Sequence, residues 1–222
     1  MDATHLVLLL DRSYSMDLVR DRVVAAVNLL FDEQRRAPGA VRLTLVQFDT
    51  CFDITHDGVD LATVPPLSMT DYRPYGSTAL FDCLAEMIDR TEASIGRLPA
   101  PERPANVVFV VVSDGIDSGS RVTPDEVRAR IAAQPTWQFL FLGANMDAML
   151  EGQRMGVSGV SFSVAGDGLR RAAETASAYV GLTRAGDRAA AGRIAASPDV
   201  DAPDVTRAVL DFQRGLRRDG SP

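Results

Sequence analysis

Apolar residues along the chain fall into runs of two kinds. Short, continuous runs occur at 6–10 (LVLLL), 106–112 (NVVFVVV) and 137–142 (WQFLFL). Runs of this length predict strands covered on both faces, as in a parallel sheet. The segment 41–48 (VRLTLVQF) alternates and is also strand-like, and 159–164 predicts one more short strand. Residues 52–55 and 58–61 predict an edge hairpin turning at His56-Asp57-Gly58.

Between these runs the spacing becomes helical. Leu18, Val23, Val27, Leu30 and Phe31 predict a helix over 17–36, stopped by Pro38-Gly39. Leu80, Leu84, Met87 and Ile88 form the stripe of a helix over 77–95. Thr123-Pro124-Asp125-Glu126 reads as a helix start, with Thr123 as cap, Pro124 at the first position and Glu126 closing a capping box. A short helix over 147–155 and a last one from 168 to about 184 follow. Pro65, Pro66 and Pro74 mark 63–76 as a loop crossing the domain, and 96–104 is proline-rich and exposed.

Alternating strands and helices with buried parallel strands predict a doubly wound α/β domain over 1–185. From about 186 Ala, Asp, Arg, Ser and Pro dominate. Residues 186–222 read as a tail or docking segment with one amphipathic helix at 205–216.

Composition narrows the function. The 222 residues are 46% hydrophobic and 24% charged, enough to bury a full core. A formal net charge of −7 argues against binding nucleic acid or an acidic membrane surface. Every basic residue is Arg; the absence of Lys excludes lysine Schiff-base chemistry and a lysine P-loop. Cys51 and Cys83 lack metal-ligand spacing and are expected to be reduced, mostly buried thiols. No run approaches the ~20 apolar residues of a membrane span. The opening MDATHLVLLLDRS lacks a basic region and a full apolar core for a signal peptide, which points to a cytoplasmic protein.

The chemistry gathers at strand ends. Asp11-Arg12-Ser13-Tyr14-Ser15 follows the first buried run, and Ser113-Asp114-Gly115 ends the second. Open α/β sheets bind ligands beyond the carboxyl ends of their strands, where strand order reverses. Adjacent parallel strands would place Asp11 and Asp114 in one crevice. Two carboxylates that close raise one pKa unless a cation lies between them. Carboxylate and hydroxyl oxygens suit a hard ion, and one held by few carboxylates seeks an external carboxylate as its remaining ligand.

Asp11-x-Ser13-x-Ser15, then Gly76-Ser77-Thr78-Ala79-Leu80 opening a helix, then Ser113-Asp114-Gly115, in that order, resemble the metal-ion-dependent adhesion site of the von Willebrand factor A (VWA) family. QFD (47–49), GSTALFD (76–82) and FLGAN (141–145) are most similar to bacterial and prophage-type stand-alone members. The resemblance covers about residues 4–185. It implies a Rossmann-like, mostly parallel six-stranded sheet flanked by helices, in order 3-2-1-4-5-6 with one antiparallel edge strand. It also implies direct or water-mediated metal ligands at Asp11, Ser13, Ser15, Thr78 and Asp114. The ion would be Mg²⁺, with Mn²⁺ or Ca²⁺ as alternatives, and the partner a protein with an exposed Asp or Glu.

Other residues stand behind these ligands or on the rim. Gly76, Ser77 and Gly115 belong to the same segments. Tyr14 occupies a position where many members have Gly, and either meets a partner or only covers the loop. Asp82 either hydrogen-bonds the Ser13–Ser15 segment or simply faces the helix dipole. Asp117 either touches a metal-bound water or is a solvated turn residue. Asp49 and Asn145, at other strand ends, either line the crevice or serve their turns. Trp137 is most simply core.

The functional reading is a binding module and not an enzyme. A Mg²⁺-dependent hydrolase would need a nucleophile and phosphate-binding cations, and only Arg12 and Arg73 lie near. His5 and His56 assemble no catalytic or zinc arrangement. A scaffold subunit of a larger bacterial complex, with a structural metal and a docked tail, is the other reading.

Overall fold

The computed structural model describes residues 3–144, 146–157 and 159–219. Six strands form one sheet: β1 (Thr4–Asp11), β2 (Val41–Phe48), β3 (Phe52–Asp60), β4 (Asn106–Ser113), β5 (Gln138–Gly143) and β6 (Gly159–Ser161). Their order is β3-β2-β1-β4-β5-β6, with β2 and β3 antiparallel and all other neighbours parallel. The expected architecture and strand order are therefore present. The order reverses beside β1, so the crevice at its carboxyl end lies between the loops after β1 and β4.

The continuous apolar runs work because both faces are covered. Leu6, Leu8 and Leu10 of β1 point into one core, while Val7 and Leu9 point into the other. The first core lies under α1 (Arg20–Arg36) and the later α5 (Gly168–Arg184). The second lies under α2 (Leu80–Gly96) and α3 (Pro124–Ala132). The capping box at Thr123 and Glu126 forms as expected. Trp137 is half-buried, stacked on Phe109 at the margin of the second core. The short helix α4 is Met146–Arg154.

Two expectations change. Residues 52–60 form one edge strand, not a hairpin, because β3 pairs with β2 from Phe52 to Asp60, and Leu61 begins a short helical turn. The His56-Asp57-Gly58 signal becomes an irregularity in that pairing: Gly58 takes φ 61° and its N–H donates to Thr44 Oγ1 at 3.0 Å. Cys83 is buried as expected, but Cys51 is exposed in the turn that joins the two strands.

Residues beyond 186 carry more structure than one short helix. They form α6 (Arg188–Ala195) and α7 (Pro203–Asp219). Val205, Val209, Ala191 and Ile194 join the same core as α1 and α5. Gln213 Nε2 donates to Glu33 Oε1 on α1 at 3.1 Å. Much of the α6 contact is made by alanine, which gives no strong apolar stripe in the sequence. On α5 Gly181 provides the close approach, since a Cβ there would overlap the Phe212 ring of α7.

This contact has a testable sign. On an exposed helix Gly→Ala is favourable by about 1 kcal/mol. Gly181→Ala is expected instead to destabilise by about 1–3 kcal/mol, the usual range for overpacking. Thermal denaturation reads the difference directly, and a raised melting temperature would show that α7 does not pack on α5.

Candidate metal centre

β1 delivers Asp11 to the end of the sheet with its side chain fully buried. Ser13 N–H donates to Asp11 Oδ1 at 2.7 Å, and Ser113 Oγ donates to Oδ2 at 2.5 Å. Both contacts follow from local geometry. The chain turns immediately after Asp11, and parallel pairing sets Leu10 beside Val112, which brings Ser113 next to Asp11. Burial pushes the Asp11 pKa up to about 6, against these two hydrogen bonds, with a lesser contribution from the charge of Asp114. Asp114 is also raised, again chiefly by burial. Burial thus outweighs the repulsion between carboxylates that the sequence suggested.

The hydroxyls connect the two acids. Ser15 Oγ donates to Asp114 Oδ1 at 2.8 Å, and the Ser13 and Ser15 Oγ atoms lie 3.2 Å apart. Thr78 reaches the same place from the loop before α2. A Cβ on Gly115 would lie 3.3 Å from Thr78 Oγ1, so the absence of a side chain at 115 lets that hydroxyl close against the Asp114 loop. The structure therefore brings Asp11, Ser13, Ser15 and Asp114 into one hydrogen-bonded set, with Thr78 beside it.

Thr78 is held by the loop after β4. Its N–H donates to Ser118 Oγ at 3.2 Å, and its carbonyl accepts from the N–H groups of Ser118 and Gly119. The next N–H groups at the start of α2 lack intrahelical acceptors. Asp117 Oδ1 accepts from Phe81 N–H, and Ser120 Oγ from Asp82 N–H. Asp82 returns the contact by accepting from Arg121 and Val122 N–H at 2.9 and 2.8 Å. The Asp82 carboxylate bonds to that loop and not to the Ser13–Ser15 segment, because its helical position turns it toward residues 120–122. Asp117 likewise serves this clamp, through Phe81 and Ser120.

Gly76 has φ 77°, a conformation that favours glycine, and its carbonyl accepts from Tyr14 N–H. Ser77 turns to Thr50, with the hydroxyls 3.2 Å apart. Tyr14 is exposed. Asn145 lies outside the described residues. Asp49 does not reach the acids; its Oδ2 accepts from Arg12 Nε at 2.7 Å, and Asp53 takes another Arg12 nitrogen at 2.5 Å. Arg12 is thereby engaged by two carboxylates. His5 lies on β1 at the other end, its Nε2 2.8 Å from Thr44 Oγ1, with burial lowering its pKa to about 4.

Three participants escaped the sequence reading. Ser113 stood inside the recognised SDG segment, and strand adjacency alone would have revealed its role. The Arg12–Asp49–Asp53 cluster needed the pairing of β2 with β3. Tyr72, fully buried, donates its hydroxyl proton to the Asp11 carbonyl at 2.6 Å, and nothing in the proline-rich loop signals this.

Among the described residues no three His, Cys, Asp or Glu side chains gather to hold a metal. The set here has another chemistry, two carboxylates with three hydroxyls, which fits a hard cation that keeps water or takes an outside ligand.

No family model matches the chain, and no curated protein matches it. Solved structures do. The von Willebrand factor type A protein from Catenulispora acidiphila is 14% identical with a TM-score of 0.54, covering 79% of this chain and 42% of its own. The ArnB paralog VWA2 from Sulfolobus acidocaldarius is 15% identical with a TM-score of 0.55, covering 79% and 45%. The manganese-loaded TRAP protein of Plasmodium vivax is 15% identical with a TM-score of 0.51, covering 70% and 63%. The chain spans less than half the length of the first two. At such identities the likeness is one of fold, and the fold is that of a VWA domain.

Tyr72→Phe isolates one support of the site. It removes a donor from a buried carbonyl, a change that costs about 1–3 kcal/mol. For a chain of this size each kcal/mol lowers the melting temperature by about 2–4 °C. An unchanged melting temperature would show that Tyr72 does not hold Asp11.

Proposed function

We propose that Asp11, Ser13, Ser15, Thr78 and Asp114 hold one divalent cation, directly or through water, and that the ion binds an Asp or Glu of another protein. The observation that carries this reading is the buried Asp11 carboxylate, joined through Ser13 and Ser15 to Asp114 with the Thr78 hydroxyl alongside. The three hydroxyls bring no charge, and a carboxylate that reaches the ion only through water offsets it in part, so an outside carboxylate is a favourable ligand. The donor set suits Mg²⁺, and Mn²⁺ fits the same oxygens. The manganese-loaded TRAP protein, which shares the fold, supports a divalent ion in this setting.

The chain's own residues arrange the site. Ser113 and the Ser13 N–H orient Asp11, Gly115 leaves room for Thr78, and the clamp of Asp82, Asp117, Ser118 and Ser120 fixes the loop that carries Asp114. Among the described residues no helix is long and apolar enough to cross a membrane.

Metal binding is measured first. Mn²⁺ titration followed by electron paramagnetic resonance is expected to show one site, lost in Asp11→Ala and in Asp114→Ala. At about 100 times its Kd the ion should stabilise the fold by about 2.7 kcal/mol. Pull-downs from the native host in Mg²⁺ are expected to lose their captured protein in EDTA and with Asp11→Ala. One-site Mn²⁺ binding that survives Asp11→Ala ends this reading.

A further inference from the structure

The segments that form the site carry exposed apolar side chains, on a chain that is acidic overall. Among the described residues eight large apolar side chains are exposed. Four of them, Tyr14, Leu18, Tyr75 and Ile116, stand within three residues of a candidate ligand. Tyr14 is 73% exposed, Leu18 89% and Tyr75 75%. The two tyrosines belong to neighbouring strips of backbone: Tyr14 N–H donates to the Gly76 carbonyl, and Tyr75 N–H to the Arg12 carbonyl. Leu18 shares the short helical turn Tyr14–Val19. Ile116 follows Asp114 by two residues. The four thus come from all three segments that form the site. Exposed apolar side chains gathered on the segments of one site mark an interaction surface, and tyrosine is a frequent anchor at interface centres.

Charge decides what fits. Apart from the ligands, the charged residues within three positions of a ligand are Arg12, Asp17 and Asp117. Arg12 is already engaged by Asp49 and Asp53, and Asp117 by Ser120. Asp17 is exposed, as is Asp53. Arg73 lies farther along the loop and donates to the Thr70 carbonyl. Arg12 and Arg73 are outnumbered by Asp17, Asp49, Asp53 and Asp117, so these groups together disfavour additional acids, while the ion attracts one.

We propose that the partner is a protein segment presenting a single acidic side chain between apolar residues. The acid meets the cation, and its apolar neighbours rest on Tyr14, Leu18, Tyr75 and Ile116. A polyacidic segment is disfavoured by Asp17, Asp53 and the net charge of −7. This inference rests on the metal-dependent reading above and names the class of partner for that site.

The test uses the full chain and a phage-displayed library of short peptides, each with a central Asp or Glu and randomised flanks, selected in Mg²⁺ and in EDTA. The expected result is Mg²⁺-dependent enrichment of apolar flanks and depletion of a second acid. Tyr14→Ser combined with Tyr75→Ser should keep one-site Mn²⁺ binding by electron paramagnetic resonance. The same variant should weaken the best peptide by about tenfold or more, the size of a hot-spot loss. Mg²⁺-dependent capture with charged flanks, or capture indifferent to the tyrosine changes, overturns the proposal and leaves the metal reading intact. Absence of Mn²⁺ binding in the unaltered chain sinks both. Dimerisation in Mg²⁺ that Asp11→Ala abolishes would overturn the proposal in favour of a second copy.

Discussion

A carboxylate with no solvent exposure, Asp11, sits at the end of a central strand, and the surroundings of the sheet edge are arranged around it. A buried ionised acid is tolerated only with donors on its oxygens or a cation nearby. Ser13 N–H and Ser113 Oγ supply the donors, yet burial still lifts the pKa to about 6. Tyr72 holds the carbonyl of the same residue, and the next N–H, on Arg12, returns to the Phe48 carbonyl of β2. Three neighbouring elements thus fix one residue: β2, β4 and the long loop before α2. Strand order is what makes this possible, because β1 lies between β2 and β4.

Much of this could be read from the sequence, for a definite reason. Strands buried on both faces leave continuous apolar runs, and a polar residue ending such a run marks a strand terminus. Asp11 and Asp114 were visible in that way, and their adjacency followed from parallel pairing. Side-chain direction and long-range partners were not visible. Asp82 occupies the first turn of α2, a place that suits either an inward or an outward contact, and only the fold turns it toward Arg121 and Val122. Tyr72 lies among prolines with no periodic context. Beyond residue 186, α7 carries its apolar positions openly in the sequence, whereas α6 buries Ala190, Ala191 and Ala195 beside Ile194 and leaves no strong stripe. Gly181 admits Phe212 by having no side chain, which no hydrophobic pattern records.

Two like charges in one crevice suggested mutual repulsion as the dominant perturbation. Removal from water is the larger cause for both acids, with the Asp114 charge a lesser contribution at Asp11. The distinction matters for substitution. Replacing Asp114 leaves Asp11 buried and only partly relieved, whereas loss of Ser113 removes a donor from a carboxylate that has no access to water.

Precision at Thr78 comes from anchors spread along the loop that carries it. Asn28 on α1 makes two hydrogen bonds with the backbone of Leu67, at 2.9 and 2.7 Å. Arg20 Nε donates to the Tyr72 carbonyl, and Tyr72 in turn donates to Asp11. Ala79 N–H donates to the Asp49 carbonyl at 2.7 Å. A proline-rich segment without regular structure is therefore tied at intervals to the sheet and to α1, so its course is set before any ligand arrives. Binding at such a site has less ordering entropy to overcome than binding at a free loop. The exposed tyrosines on the same backbone, Tyr14 and Tyr75, inherit that rigidity, because their N–H groups are bonded across the two strips that carry Ser13 and Gly76. Core packing, loop anchoring and the character of the rim are in this sense one arrangement, carried from α1 and the sheet to the surface.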